Sequence, residues 1–121
     1  MFFPVSDWFA AFIITLAVEV PIGLLLLRKV EPALPRLAVL VGFANLATHP
    51  AVWFIFTQLF LVGTPEYIVA AESWAIGAEA LFYVVTIRGV GTRRAIGVAI
   101  AANMASVAAG LLLGAGWLAI P

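Results

Sequence analysis

The chain has 121 residues, 65% of them hydrophobic and 10% charged, with no net charge and no cysteine. Soluble domains carry about 25% charged residues, so this composition excludes a water-solvated globule and points to lipid as the solvent. The neutral balance argues against nucleic acid as a partner, and the missing cysteines exclude disulfides and thiolate metal sites.

Four apolar runs follow one another: Trp8–Leu27, Leu37–Val62, Tyr67–Ile87 and Ala95–Ile120. Each reaches the roughly 20 residues that span about 30 Å of hydrocarbon, and the longer second and fourth should tilt. The first is expected to be a span and not a cleavable signal, because Met1–Asp7 has no basic residue and the run exceeds a signal core. The expected fold is all-α: a single transmembrane domain over residues 1–121, built as a four-helix bundle.

All six basic residues, Arg28, Lys29, Arg36, Arg88, Arg93 and Arg94, fall between the first and second runs or between the third and fourth. Positive residues mark cytoplasmic loops. Loops 28–36 and 88–94 are therefore expected in the cytoplasm, with both termini and the loop at Glu66 outside an inner (plasma) membrane. Trp8, Tyr67 and Trp117 lie near the predicted outer boundary, as an aromatic belt would.

The two halves, 8–62 and 67–120, read as a repeat. Glu19 precedes Arg28 by nine residues and Arg36 precedes Asn45 by nine; Glu79 precedes Arg88 by nine and Arg94 precedes Asn103 by nine. Asn45 opens Asn-Leu-Ala-Thr48, and Asn103 opens Asn-Met-Ala-Ser106. The topology makes the repeat parallel, and transporters place substrate sites at repeat interfaces.

At 1.5 Å per residue, nine residues is about 13.5 Å, which sets Glu19, Asn45, Glu79 and Asn103 at one depth near mid-bilayer. The helical faces agree. Thr15, Glu19 and Gly23 share a stripe on the first helix, and Gly42, Asn45, Thr48 and His49 on the second. Glu72, Glu79, Tyr83 and Thr86 share one on the third, and Asn103, Ser106, Gly110 and Gly114 on the fourth. A carboxyl inside a membrane costs about 2.5–3.5 kcal/mol on insertion scales and faces the bundle interior. Two at one depth require a proton or a positive ion between them. No Lys or Arg lies in the spans, so His49 is the one protein candidate.

Glu19, Glu79, His49, Asn45 and Asn103 thus form the candidate cation site, supported by Glu72, Thr48 and Ser106. Carboxylate and amide oxygens with an imidazole suit a divalent metal ion as cofactor, and protons suit paired membrane carboxyls. The structural alternative for the asparagines is inter-helix hydrogen bonding, worth about 1–2 kcal/mol each. Pro21 and Pro50 each remove a backbone bond near this layer and favour kinks. The series Ala102, Ser106, Gly110, Gly114 is a small-residue ridge for close helix approach, within the chain or in a homodimer. No GxSxG, HExxH, P-loop or Rossmann pattern occurs.

By Glu-Val-Pro at 19–21, Asn-Leu-Ala-Thr-His-Pro at 45–50 with Trp53, Glu79-Ala80 and Asn103-x-x-Ser106, the chain resembles a group of small bacterial four-helix membrane proteins of unassigned function. That resemblance implies no substrate. The expectation is a cation-binding, transport-related membrane protein that works as a homo-oligomer. A non-catalytic subunit of a larger membrane complex and an intramembrane metalloenzyme are the alternatives.

The absence of cysteine makes the topology testable on single-cysteine variants that keep every basic residue. In intact cells a membrane-impermeant maleimide should label Glu66→Cys and should reach Pro32→Cys and Gly91→Cys only after lysis. The opposite pattern would invert the assignment.

Overall fold

The structure, a computed structural model, describes residues 5–112, and these are helical apart from short connections. The helices are α1 (Val5–Leu27), α2 (Leu34–Phe54), the single turn α3 (Phe56–Leu59), α4 (Pro65–Thr86) and α5 (Thr92–Leu112). Among the described residues, three segments are long and apolar enough to cross a membrane: Trp8–Leu27, Leu34–Leu59 and Pro65–Thr86. The α5 helix, which carries the start of the fourth run, has Arg93 and Arg94 in its first turn, ahead of Ala95. Its remainder, with Gly114 and Trp117, lies outside the described residues.

Local chemistry explains where the helices start and stop. Thr64 caps α4, its hydroxyl accepting the Tyr67 N–H at 3.3 Å, with Pro65 at the first helical position and Glu66 in the first turn. Proline there loses no intrahelical bond, and a carboxylate offsets the positive end of the helix dipole. Glycines in the left-handed region turn the chain before and after α4, Gly63 at φ 87° and Gly89 at φ 86°. Only glycine enters that region without steric cost.

The expected second run, Leu37–Val62, is not one continuous helix. The α2 helix stops at Phe54, one residue intervenes, and α3 adds a turn. Side chains take over carbonyls at this break. Thr57 Oγ1 donates to Trp53 O at 2.8 Å, Gln58 Nε2 to Phe54 O at 3.0 Å, and Tyr67 Oη to Val52 O at 3.2 Å.

The long helices close a ring in which α1 and α4 each pack on both α2 and α5. The helices that carry Glu19 and Glu79 therefore sit diagonally, as do those that carry Asn45 and Asn103. At the end of the bundle with the basic loops the buried interior is apolar. Leu27, Leu37, Val41, Tyr83, Ile87 and Val98, from all four helices, form one buried cluster there. At the same end, Arg36 pairs with Glu31 at 3.0 Å and donates to the Thr86 carbonyl at 3.0 Å, tying the α1–α2 connection to the end of α4. The outward surface carries large apolar side chains such as Phe43, Val69, Leu81 and Val85, suited to lipid.

The α1–α2 contact depends on Gly23. A Cβ there would stand 2.7 Å from Val41 Cγ2, and Val41 is fully buried. Overpacking of this kind costs about 1–3 kcal/mol. Gly23→Ala should lower the unfolding temperature of the detergent-purified protein, and Val41→Ala in the same chain should recover part of the loss. Two purely additive losses would mean that the helices do not meet at this pair.

Candidate functional site: a buried carboxyl pair beside a cavity

Glu19 and Glu79 are both 1% exposed, inside the helix ring. Their bonding is matched. Glu79 Oε1 accepts from Asn103 Nδ2 of α5 at 2.9 Å, and Oε2 accepts from Thr48 Oγ1 of α2 at 3.1 Å. Glu19 Oε2 accepts from Ser106 Oγ of α5 at 2.7 Å, and Asn45 of α2 stands close to Glu19. Each acid is thus flanked by an amide on one neighbouring helix and bonded to a hydroxyl on the other.

The donors are braced by their own helices. Asn45 Nδ2 also bonds Val41 O at 3.0 Å, and Asn103 Nδ2 bonds Ala99 O at 2.8 Å. The hydroxyls have alternative acceptors one turn back. Thr48 Oγ1 lies 3.2 Å from Ala44 O and 3.4 Å from Asn45 O, and Ser106 Oγ lies 3.0 Å from Asn103 O. A hydroxyl has one proton to give, two lone pairs to accept with, and a rotor to choose between them. When a neighbouring carboxyl is ionised, the hydroxyl donates to it. When that carboxyl carries a proton, the hydroxyl accepts and turns its own proton to the helix carbonyl. In either charge state Glu79 Oε2 and Glu19 Oε2 keep their hydroxyl partners.

Above the pair, away from the basic loops, a cavity of about 210 Å³ extends to Gly63, Tyr67 and Ile68. Glu19, Asn45, Thr48, His49, Glu72, Glu79, Asn103 and Ser106 all line it, so the structure gathers every residue of the expected site around one space. Three of their buried atoms have no hydrogen-bond partner among the described residues: Glu19 Oε1, Glu72 Oε1 and His49 Nδ1.

His49 does not sit between the two acids. Its Nε2 lies 3.3 Å from Thr15 Oγ1, and its ring packs among Phe12, Trp8 and Trp53. Among the described residues, no three His, Asp or Glu side chains converge in the manner of metal ligands. The ridge residues Ala102 and Gly110 are buried, and Ser106 is spent on Glu19; this ridge faces the interior, and Gly114 lies outside the described residues.

Sequence reasoning missed Thr15, Trp53 and Tyr67 as parts of the site. The stripe Thr15–Glu19–Gly23 carried the signal for Thr15. Tyr67 reads as a belt residue until the break after Phe54 brings Val52 O to its hydroxyl. No protein-family model, curated protein or solved structure matches the chain.

A net hydrogen bond contributes about 0.5–1.5 kcal/mol, and about 1.5–3 kcal/mol when one partner is charged. Thr48→Val and Ser106→Ala should each destabilise the protein within that range, by thermal unfolding in detergent, while Thr48→Ser should stay close to wild type. Equal stability of all three would show that the hydroxyls do not hold the carboxyls.

Proposed function

We propose that the chain is a polytopic membrane protein whose interior binds and releases a cation at the Glu19–Glu79 pair, in the service of transport, and that this cation is a proton. The observation that carries the reading is the pairing of each acid with a hydroxyl that has a second acceptor on its own helix. A site of this form binds and loses a proton without repacking. A divalent ion needs several open oxygen or nitrogen donors, and of the four oxygens of the pair only Glu19 Oε1 is unpartnered.

The parallel repeat belongs to the same proposal. Glu19 and Glu79, Asn45 and Asn103, and Thr48 and Ser106 would be equivalent under a two-fold axis along the membrane normal. The matched bonding and the diagonal placement of the acid helices support it. The fourth run completes a four-span bundle with the basic loops in the cytoplasm, so that the cavity opens outward. The described part of the ridge, through Gly110, is buried or bonded inward, which favours this reading over a docking-subunit role. The walls of a four-helix carrier are thin, and a homo-oligomer is the expected working form.

The test is infrared spectroscopy of the purified protein across pH, with metal content measured by mass spectrometry on the same samples. A titrating protonated-carboxyl band, lost in Glu19→Gln/Glu79→Gln and unaccompanied by stoichiometric metal, is the expected result. Near-stoichiometric divalent metal, absent from the double variant, would replace the proton with a metal ion. A double variant that matches wild type in stability and lacks no band would reduce the pair to helix packing within a larger complex.

A further inference from the structure

The basic end of the bundle carries all six Lys and Arg residues and, of the acids, Glu31 alone. Glu31 is taken by Arg36 at 3.0 Å. Among the described residues, Lys29, Arg93 and Arg94 make no ion pair and no side-chain hydrogen bond. All three are exposed, and all three line one shallow, open groove where α1 packs on α5. This seam closes the helix ring between the two neighbours that no loop joins.

Leu25, Leu26, Gly97 and Val98 complete the groove. Its charged and apolar parts are ordered along the helix axes. Arg93 and Arg94 stand in the first turn of α5, and Gly97 and Val98 follow each of them by four residues, about 6 Å along the helix. Lys29 lies just past the end of α1 at Leu27, while Leu25 and Leu26 belong to its last turn. On both helices, charge lies at the basic end and carbon lies deeper along the bundle. Leu25 is 60% exposed, and a Cβ on Gly97 would meet nothing within 4 Å, so the apolar part is open.

We propose that this groove seats one anionic phospholipid of the leaflet on the basic side. Its phosphate lies among Lys29, Arg93 and Arg94, and the upper part of an acyl chain lies over Leu25, Leu26 and Gly97. Guanidinium and ammonium groups are the side chains that hold phosphate, and basic pockets between helices at a membrane surface hold lipid headgroups. A free phosphate would use the cations and leave the apolar part empty. A zwitterionic lipid would cover the apolar part but bring a positive charge to an end already rich in them. An anionic head joined to a hydrocarbon tail meets both parts in the order in which the helices present them. The lipid would thereby tie α1 to α5 at the end where no side-chain bond of the described residues does so. Such a site requires the bundle's place in a membrane and nothing of the Glu19–Glu79 pair, so the proton reading and this one fail separately.

The experiment is native mass spectrometry of the detergent-purified protein with dioleoylphosphatidylglycerol, dioleoylphosphatidylcholine or glycerol phosphate. These offer an anionic head with its chains, the same chains on a zwitterionic head, and the anionic head alone. A single phosphatidylglycerol should be retained per chain, and the other two should bind about tenfold more weakly or worse. Each basic residue near an anionic lipid accounts for about fivefold in affinity. Lys29→Gln/Arg93→Gln/Arg94→Gln should therefore weaken phosphatidylglycerol by about tenfold or more, while Arg28→Gln/Arg88→Gln, at the same end but outside the groove, should stay close to wild type. Gly97→Leu fills the groove and keeps every charge. It should release the lipid with no loss of fold, because the new side chain enters open space and leucine favours a helix over glycine.

Equal retention of the two lipids, or equal losses in the two charge variants, would reduce the groove to diffuse surface charge and overturn the proposal. Unchanged retention in Gly97→Leu would overturn it as well, since no chain would then lie over α5. Glycerol phosphate bound as tightly as the lipid would make this an anion site and not a lipid seat. Should the triple charge variant fail to insert, the three ligands on wild type and Gly97→Leu decide alone.

Discussion

Two carboxyl groups in an apolar bundle set the terms for everything around them. Each costs several kcal/mol to bring into hydrocarbon, and each must find hydrogen-bond partners there, because no solvent offers them. The ring order of the helices meets this demand. With the acids on the diagonal helices α1 and α4, each acid has α2 on one side and α5 on the other. Both donor helices can then supply both acids, with an amide from one and a hydroxyl from the other. Had the acid helices been adjacent, each acid would have had only one donor helix beside it.

The same layer divides the bundle into two unlike ends. Toward the basic loops, Leu27, Leu37, Val41, Tyr83, Ile87 and Val98 pack without polar interruption. Gly23 brings α1 against Val41, and Arg36 clamps the α1–α2 connection to Thr86. Toward the other end, α2 breaks after Phe54, Gly63 turns the chain, and a cavity reaches from the carboxyls to Tyr67. The cavity beside the acids thus lies on one side of the polar layer and the apolar cluster, with the Gly23–Val41 crossing and the Arg36–Thr86 bond, on the other.

Much of this was legible before any coordinates. The all-helical fold, the apolar exterior and the common height of the polar residues along the helices follow from period, length and the nine-residue spacings, because a helix converts sequence separation directly into height. The stripes placed Glu19, Asn45, Glu79 and Asn103 indoors for the same reason, and the structure buries all four. What spacing does not carry is azimuth between helices. His49 is one turn from Asn45 and looked like a partner for the acids. Instead it faces Thr15 and an aromatic set, because the α1–α2 crossing decides which side chains meet. The end of α2 was misjudged because apolar composition continues to Val62 while the helix does not. Polar side chains within the run, Thr57 and Gln58, take the carbonyls that would otherwise extend it.

The division of labour between amide and hydroxyl carries the last step. An amide has a donor end and an acceptor end that are fixed once it is placed. Asn103 Nδ2, held by Ala99 O, donates to Glu79 Oε1 whatever the charge of that acid. Oε1 thereby remains an acceptor, and a proton on Glu79 belongs on Oε2, beside the hydroxyl of Thr48, which can reverse its role. Glu19 lacks a fixed donor of this kind on Oε1, which has no hydrogen-bond partner among the described residues, while its Oε2 accepts from Ser106 Oγ. Two acids of similar support thus differ in one respect: Glu79 has both oxygens held by donors, and Glu19 has one oxygen without a partner among the described residues.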